Sequence, residues 1–197
     1  VTSYSIYKRN NLGLSHIPED RQKHGLVLDY SLKYNTVIED FGKKEFTKAR
    51  FILNEKAIGN YADKLIEKYD IRSSEGKETA VRSMSGGNQQ KVIVAREIER
   101  DPDLLIAVQP TRGLDVGAIE NIHRQIIQQR DSNKAVLLVS FELDEVFGLA
   151  DRILVMFNGK IVGEFKPNEV TPEELGLYMV GSKDNYVFKE EVKNEIQ

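Results

Sequence analysis

The chain has 197 residues, enough for one domain with a full core, and its 40% hydrophobic and 30% charged residues are ordinary for a globular protein. A net charge of −3 and a pI near 5.8 argue against a nucleic-acid-binding protein, and no apolar run approaches the roughly 20 residues of a membrane helix. The absence of cysteine excludes disulfides and thiolate metal sites, and three scattered histidines predict no metal site.

The first part of the chain combines one short strand with a helical region. Leu12 to Ile17 predicts a strand, which ends in a polar turn that begins at Pro18. From Ser31 to Tyr69 the apolar spacing is helical. Five residues of this region would share one face of a helix: Ala57, Tyr61, Leu65, Ile66 and Tyr69.

The second part alternates helices and strands. Gly86 and Gly87 open a helix that ends at Asp101-Pro102, because proline cannot continue it. The later predicted elements are a strand at 104–108, a helix at 116–130, a strand at 135–140, a short helix at 142–149, a hairpin at 152–165 turning at Asn158-Gly159, and a last helix capped by Thr171. Apolar strands separated by helices predict a parallel sheet covered on both faces.

These patterns divide the chain into four parts. Residues 1–21 would end one lobe, and residues 22–103, which lack long apolar strands, would form an inserted α-helical subdomain. Residues 104–181 would form an α/β core, and residues 182–197 a polar tail.

Ser85, Gly86 and Gly87 stand at the start of a predicted helix. A phosphate site needs backbone N–H groups that can approach oxygen atoms closely, with a helix N-terminus behind them, and this triplet supplies both. Taken alone, the triplet also fits a plain N-cap with a glycine-rich turn.

The order of the motifs resembles the ATP-binding cassette family. Met84 to Lys91 resembles its signature motif, 104–108 its Walker B strand, and Gln109 to Asp115 the segment that ends in its D-loop. Together with Glu19-Asp20-Arg21, they resemble the second cassette of importers for simple sugars or nucleosides, from about residue 12 to 181. The stretch 107–110 favours nucleosides. The resemblance implies a P-loop-NTPase-like parallel sheet with an inserted helical subdomain.

The phosphate-binding P-loop, or Walker A motif, is not found in this sequence. Its pattern ends in Gly-Lys-Ser/Thr, and none of the Gly-Lys pairs here is followed by Ser or Thr. In the family, an N-terminal lobe with this motif would precede Val1. We therefore expect a C-terminal fragment of a longer polypeptide. The alternative is a short natural protein, which would leave sheet edges uncovered.

The catalytic positions implied by the resemblance are altered. The family ends its Walker B strand with an Asp that helps to hold magnesium and a Glu that activates water, and here Val108 and Gln109 match them. A valine side chain cannot coordinate a metal. Glutamine cannot accept a proton, and the loss of a general base lowers the rate of hydrolysis roughly 10²–10⁴-fold. At the family's switch histidine the chain has Phe141, which offers no hydrogen bond.

Two further positions keep two interpretations. Glu19 matches the glutamine of the family's Q-loop, which couples nucleotide state to the permease. Glu19 could bind magnesium through water or lie in a surface turn. Asp115 matches the D-loop and could act at an interface between cassettes or be a simple helix N-cap.

The resemblance implies an asymmetric pair of cassettes. Cassettes of this family pair head to tail, and each ATP lies between the Walker motifs of one and the signature of the other. Ser85, Gly86, Gly87 and Gln89 would therefore contact ATP, which the first cassette of the same polypeptide would hold together with Mg²⁺. This chain's own pocket would hydrolyse slowly or not at all, and the fragment alone would be inactive.

The same resemblance implies the partners. The helical subdomain would meet membrane permease subunits at the cytoplasmic face of the plasma membrane, where the protein would be peripheral, and a substrate-binding lipoprotein would act indirectly. No nucleic acid is expected. One alternative is a non-transport cassette protein acting in DNA repair or on ribosomes, which the acidic balance disfavours. A regulatory scaffold that never meets nucleotide is the other.

Overall fold

The structure is a computed structural model that describes residues 3–49 and 52–183. The chain divides into two compact units between Ser140 and Phe141, and each is described separately. The four-part division at 21/22, 103/104 and 181/182 stays a prediction. Among the described residues, no helix is both long and apolar enough to cross a membrane.

The first unit carries most of the regular elements. In chain order they are α1 (Ile6–Asn11), β1 (Leu14–Ile17), a π-helical turn (Arg21–Gly25), α2 (Leu32–Val37), β2 (Thr47–Lys48), β3 (Ile52–Leu53), α3 (Glu55–Lys68), two 3₁₀ turns (Gly76–Glu78 and Val81–Ser83), α4 (Gly86–Glu99), β4 (Leu104–Val108), α5 (Val116–Asp131) and β5 (Ala135–Val139). Helix α1, which Ser5 caps, was not anticipated from the sequence. The strand predicted from Leu12 begins two residues later, because Gly13 turns the chain at φ 77°.

A parallel sheet of three strands, in the order β1-β4-β5, forms the centre of this unit. The predicted parallel sheet is thereby confirmed. One face is closed, since Ile17, Leu105 and Ala107 are fully buried. On β5, Leu137 and Val139 are 50% and 42% exposed. The prediction that both faces are covered is therefore not met by the described residues, because Leu137 and Val139 lie on the opposite face from the buried residues and stay exposed.

The helical region differs from its prediction in the middle. The continuous helical assignment over 31–69 is wrong at residues 38–49 and 52–54. Helix α2 ends at Val37, and β2 and β3 form a small antiparallel hairpin, with Thr47 opposite Leu53. The hairpin lies beside a separate apolar cluster built on Val37, Phe46 and Ile58. Tertiary packing around Phe46 thus overrides a local helical pattern.

Helix α3 is amphipathic, as predicted, but its buried face is rotated. The fully buried residues are Ile58, Ala62 and Leu65, followed by Tyr69 just beyond the helix. Their spacing of four, three and four places them on one face. The predicted members Ala57, Tyr61 and Ile66 lie half-buried at its margins.

The second unit comprises α6 (Leu143–Leu149), β6 (Ile153–Phe157), β7 (Lys160–Phe165), a 3₁₀ turn (Pro167–Glu169) and α7 (Pro172–Met179). The hairpin of β6 and β7 is confirmed, and both Asn158 and Gly159 have the positive φ that such a turn requires. Thr171 caps α7 by accepting the N–H of Glu174. Most of the predicted polar tail, from residue 184 onward, lies outside the described residues.

Candidate functional site

The start of α4 has the geometry expected of the glycine-rich triplet. Ser85 is an extended N-cap, and its Oγ accepts the backbone N–H of Asn88 at 3.4 Å and the Asn88 side-chain amide at 2.9 Å. Gly86 and Gly87 form the first turn, whose N–H groups have no partner within the helix. This helix N-terminus therefore combines free donors with the positive end of the helix dipole.

Two glutamines anchor this helix start from within. The Nε2 of Gln89 donates to the carbonyl of Val81 at 2.8 Å, and its Oε1 accepts from the side chain of Gln22 at 3.2 Å. The Nε2 of Gln90 donates to the carbonyl of Pro110 at 2.9 Å. Both side chains are nearly fully buried. The side chain of Gln89 thus holds α4 in place, and its contact with nucleotide stays a prediction.

The carboxyl ends of the parallel strands meet at one edge of the sheet, where ligands bind in folds of this type. Val108, the last residue of β4, is half-buried there. Gln109 is 5% exposed and has a left-handed backbone at φ 49°, and its N–H donates to the carbonyl of Val139 at 2.8 Å. The Nε2 of Gln109 is buried without a hydrogen-bond partner. This side chain therefore faces the interior, and not an open pocket.

A cleft of about 770 Å³ opens beside this edge, and its lining includes Glu19, Arg21, Val108 and Arg112. Its lining carries charges of both signs. Within residues 3–49 and 52–183, no group of three or more His, Cys, Asp or Glu is arranged to hold a metal ion.

Glu19 lies in the turn after β1 and forms an ion pair with Arg112, at 2.6 Å between Oε1 and Nη1. The pair is exposed, so it contributes little to stability. Asp20 follows it and caps the π-helical turn by accepting the backbone N–H groups of Gln22 and Lys23. The hydrogen bond from the Lys23 N–H lowers the pKa of Asp20. The turn is thus held in a defined conformation.

Asp115 has the N-cap geometry that one of its two interpretations requires. Its Oδ1 accepts the N–H of Ala118 at 3.0 Å at the start of α5. Its Oδ2 lies 3.7 Å from the place where a Cβ on Gly87 would stand. Asp115 therefore faces the first turn of α4. The interface role of Asp115 stays a prediction.

Phe141, the residue at the switch position, lies in the second unit, and its side chain is 73% exposed.

The sequence did not single out Arg21 or Arg112 as site residues. The Nη1 of Arg21 donates to the carbonyl of Arg112 at 3.2 Å. Its Nη2 lies 2.6 Å from the position of a Cβ on Gly86. Arg21 therefore connects the turn after β1 with the segment after β4 and with the start of α4. The Glu19-Asp20-Arg21 motif was a signal for the turn, but not for these contacts.

The fold is that of an ATP-binding cassette. A nucleotide-free ATP-binding cassette from an ABC transporter matches with a TM-score of 0.67 and 20% identity, over 89% of this chain and 72% of that chain. A cassette dimer in a post-hydrolysis state with ADP and phosphate matches with a TM-score of 0.66 and 19% identity, over 82% and 65%. At this identity, the likeness shows the fold.

Curated relatives narrow the class. The guanosine import ATP-binding protein NupO of Bacillus subtilis is 52% identical over 170 residues, which are 86% of this chain and 33% of that protein. The nucleoside import ATP-binding protein NupA of Lactococcus lactis is 46% identical over 185 residues, 94% of this chain and 36% of that protein. A glucose import ATP-binding protein of Haloferax volcanii is 43% identical over 173 residues, 87% and 31%.

The chain is a partial ATP-binding cassette domain, homologous to the ATP-binding proteins of sugar and nucleoside importers. It spans about a third of the length of these curated relatives. No protein-family model matches the chain. The resemblance recognised from the signature and D-loop motifs is confirmed at this level.

Proposed function

We propose that this chain supplies the signature motif to an ATP site of a nucleoside or simple-sugar importer. The observation that carries the proposal is the start of α4, where the Ser85 cap, the glycine pair and the free N–H groups form an anion-binding terminus. ATP would be held with Mg²⁺ by the first cassette of the same polypeptide. Ser85, Gly86 and Gly87 would contact its phosphates from the opposite side.

The proposal includes a degenerate hydrolytic site in this half. The side chain of Val108 has no atom that can coordinate a metal, so the carboxylate that helps to hold Mg²⁺ in an active site is lacking at this position. Gln109 has no proton-accepting group, and its buried side chain is not presented to water. Phe141 offers no hydrogen bond to a terminal phosphate. Each of these properties supports slow or absent hydrolysis in this half.

The proposed partners follow from the same class. We expect permease subunits to bind the helical subdomain at the cytoplasmic face of the plasma membrane, with a substrate-binding lipoprotein acting indirectly. The identities of 52% and 46% with guanosine and nucleoside import proteins support nucleosides over simple sugars. A glucose import protein at 43% keeps the sugar alternative open to test.

Uptake by the complete importer tests this function. We expect labelled nucleosides to be taken up, simple sugars to be refused, and Ser85→Arg to abolish uptake, because arginine would fill the space of the phosphates. Ser83→Arg is the matched control, since Ser83 is exposed two residues earlier and caps no helix. Normal uptake by the Ser85→Arg variant would show that the proposed function is wrong.

A further inference from the structure

Arg21 is fixed by its neighbours at the carboxyl end of β1. It is the first residue of the π-helical turn, and the preceding Asp20 holds that turn through two backbone hydrogen bonds of 3.0 Å. The side chain is half-buried, and its Nε is buried without a hydrogen-bond partner. The guanidinium is therefore held between protein segments and is not a freely solvated surface group.

The guanidinium contacts two segments that are distant in sequence. Nη1 donates to the carbonyl of Arg112, and Nη2 lies over Gly86, where a Cβ would stand only 2.6 Å away. Arg112 in turn pairs with Glu19 at 2.6 Å. Contacts thus run from Glu19 to Arg112, to Arg21 and to the first residue of α4.

We propose that Arg21 is a positioning residue for the signature motif. It sets the place of Gly86, and with it the phosphate-facing N–H groups, relative to the segment that leaves β4. This inference rests on the proposed function, in which those N–H groups contact ATP. Arginine suits the role because its planar fork can donate in one direction while it packs in another, whereas lysine offers a point charge.

Gly86 has a defined part in this arrangement. Its φ is not left-handed, so a backbone conformation does not require glycine there. Glycine instead leaves room for the guanidinium, which occupies the space that a side chain would take. A methyl group at this position would displace the flexible end of Arg21. Gly86→Ala and Arg21→Ala should therefore remove the same interaction.

The test measures ATP turnover by the complete importer carrying substitutions at Arg21. We expect Arg21→Ala to lower kcat about 10- to 100-fold, since small displacements of binding groups have costs of this size. KM for ATP should stay within about twofold, because the signature engages only when the cassettes close. Arg21→Lys should be intermediate. Lys23→Ala, an exposed cation in the same turn, should keep kcat within about twofold.

A double-mutant cycle separates positioning from general damage. If both substitutions remove the same interaction, the kcat of the double variant Arg21→Ala/Gly86→Ala should equal that of the less active single variant, within about twofold. If the fold-losses of kcat in the two single variants instead multiply in the double variant, the proposal is wrong. If Arg21→Ala lowers both kcat and the melting temperature, and the fold-losses of kcat multiply in the double variant, Arg21 has a structural role and the proposal is wrong.

The outcomes also distinguish this inference from the proposed function. If Ser85→Arg abolishes turnover while Arg21→Ala matches Lys23→Ala, the positioning role is wrong and the function stands. If Ser85→Arg has normal turnover, the signature does not act on ATP, and both fail.

Discussion

At the scale of single residues, part of the site follows from neighbouring residues in the sequence, and part depends on contacts between distant segments. Ser85, Gly86 and Gly87 could be assigned from the sequence because an N-cap and a glycine pair act within one helical turn. The contact of Arg21 with Gly86 joins residues 65 positions apart. It exists because β1 and the turn that follows it pack against α4, which no local pattern encodes.

Asp115 allows its two interpretations to be separated. Asp115→Ala should lower the free energy of unfolding by about 1 kcal/mol, because the N–H of Ala118 loses its cap. Asp115→Ser should keep that stability, since serine also caps helices. Urea unfolding of the chain measures both. Normal ATP turnover in Asp115→Ser would leave the cap as its role, whereas lost turnover with normal stability would support an interface role.

At the scale of elements, strands and caps were predictable and the hairpin of β2 and β3 was not. Strand β4 and the turn at Asn158-Gly159 carry signals that are complete within a few residues. Residues 38–49 and 52–54 instead follow the burial of Phe46, at 2% exposed. The rotated face of α3 has the same origin, because α2 and α4 decide which side of the helix is covered.

The junction of α3 and α4 makes stability depend on pH. Lys91 on α4 donates to the backbone carbonyl of Asp70 at 2.6 Å and to its carboxylate at 3.1 Å. The hydrogen bond from Lys91 lowers the pKa of Asp70. A lowered folded-state pKa stabilises the fold above the unfolded value of about 3.9, and this stabilisation disappears as pH falls through the folded value.

Asp70→Asn tests this dependence without a change of backbone. Asparagine also tolerates the left-handed conformation that Asp70 adopts at φ 47°. We expect the variant to be less stable than the wild type at pH 7, and the difference to vanish below the folded-state pKa. Urea unfolding at a series of pH values measures it. A difference that is constant with pH would show that the carboxylate charge is not responsible.

At the scale of the whole molecule, each unit has its own core, and a buried charge network joins the elements of the first. Arg96 is paired with Glu97 at 2.8 Å and donates to the carbonyls of Gly25 and Asn35. Glu97 accepts the N–H of His16 in β1. Burial and the neighbouring Glu97 raise the pKa of Glu39, which also contacts this network. Helix α4 thereby holds β1, the π-helical turn and α2 together.

Removing one partner of this network should be costly. Arg96→Ala should lower the free energy of unfolding by about 3 kcal/mol, because Glu97, at 1% exposed, would lose its ion pair of 2.8 Å and keep only the longer one with Arg100, at 3.5 Å. Arg82→Ala removes an exposed pair with Asp29 and should cost less than about 1 kcal/mol. Urea unfolding compares the two. Equal costs would contradict the structural role assigned to Arg96.

The asymmetry between signature and hydrolytic positions is tested most directly by ATP turnover of the complete importer carrying Ser85→Arg, measured beside one carrying Gln109→Ala. We expect Ser85→Arg to abolish turnover, because this chain serves the ATP site of its partner cassette. We expect Gln109→Ala to keep turnover within about twofold, because a position without a base loses no base catalysis. Normal turnover with Ser85→Arg, or a large loss with Gln109→Ala, would contradict the proposed division of roles between the signature and the hydrolytic positions.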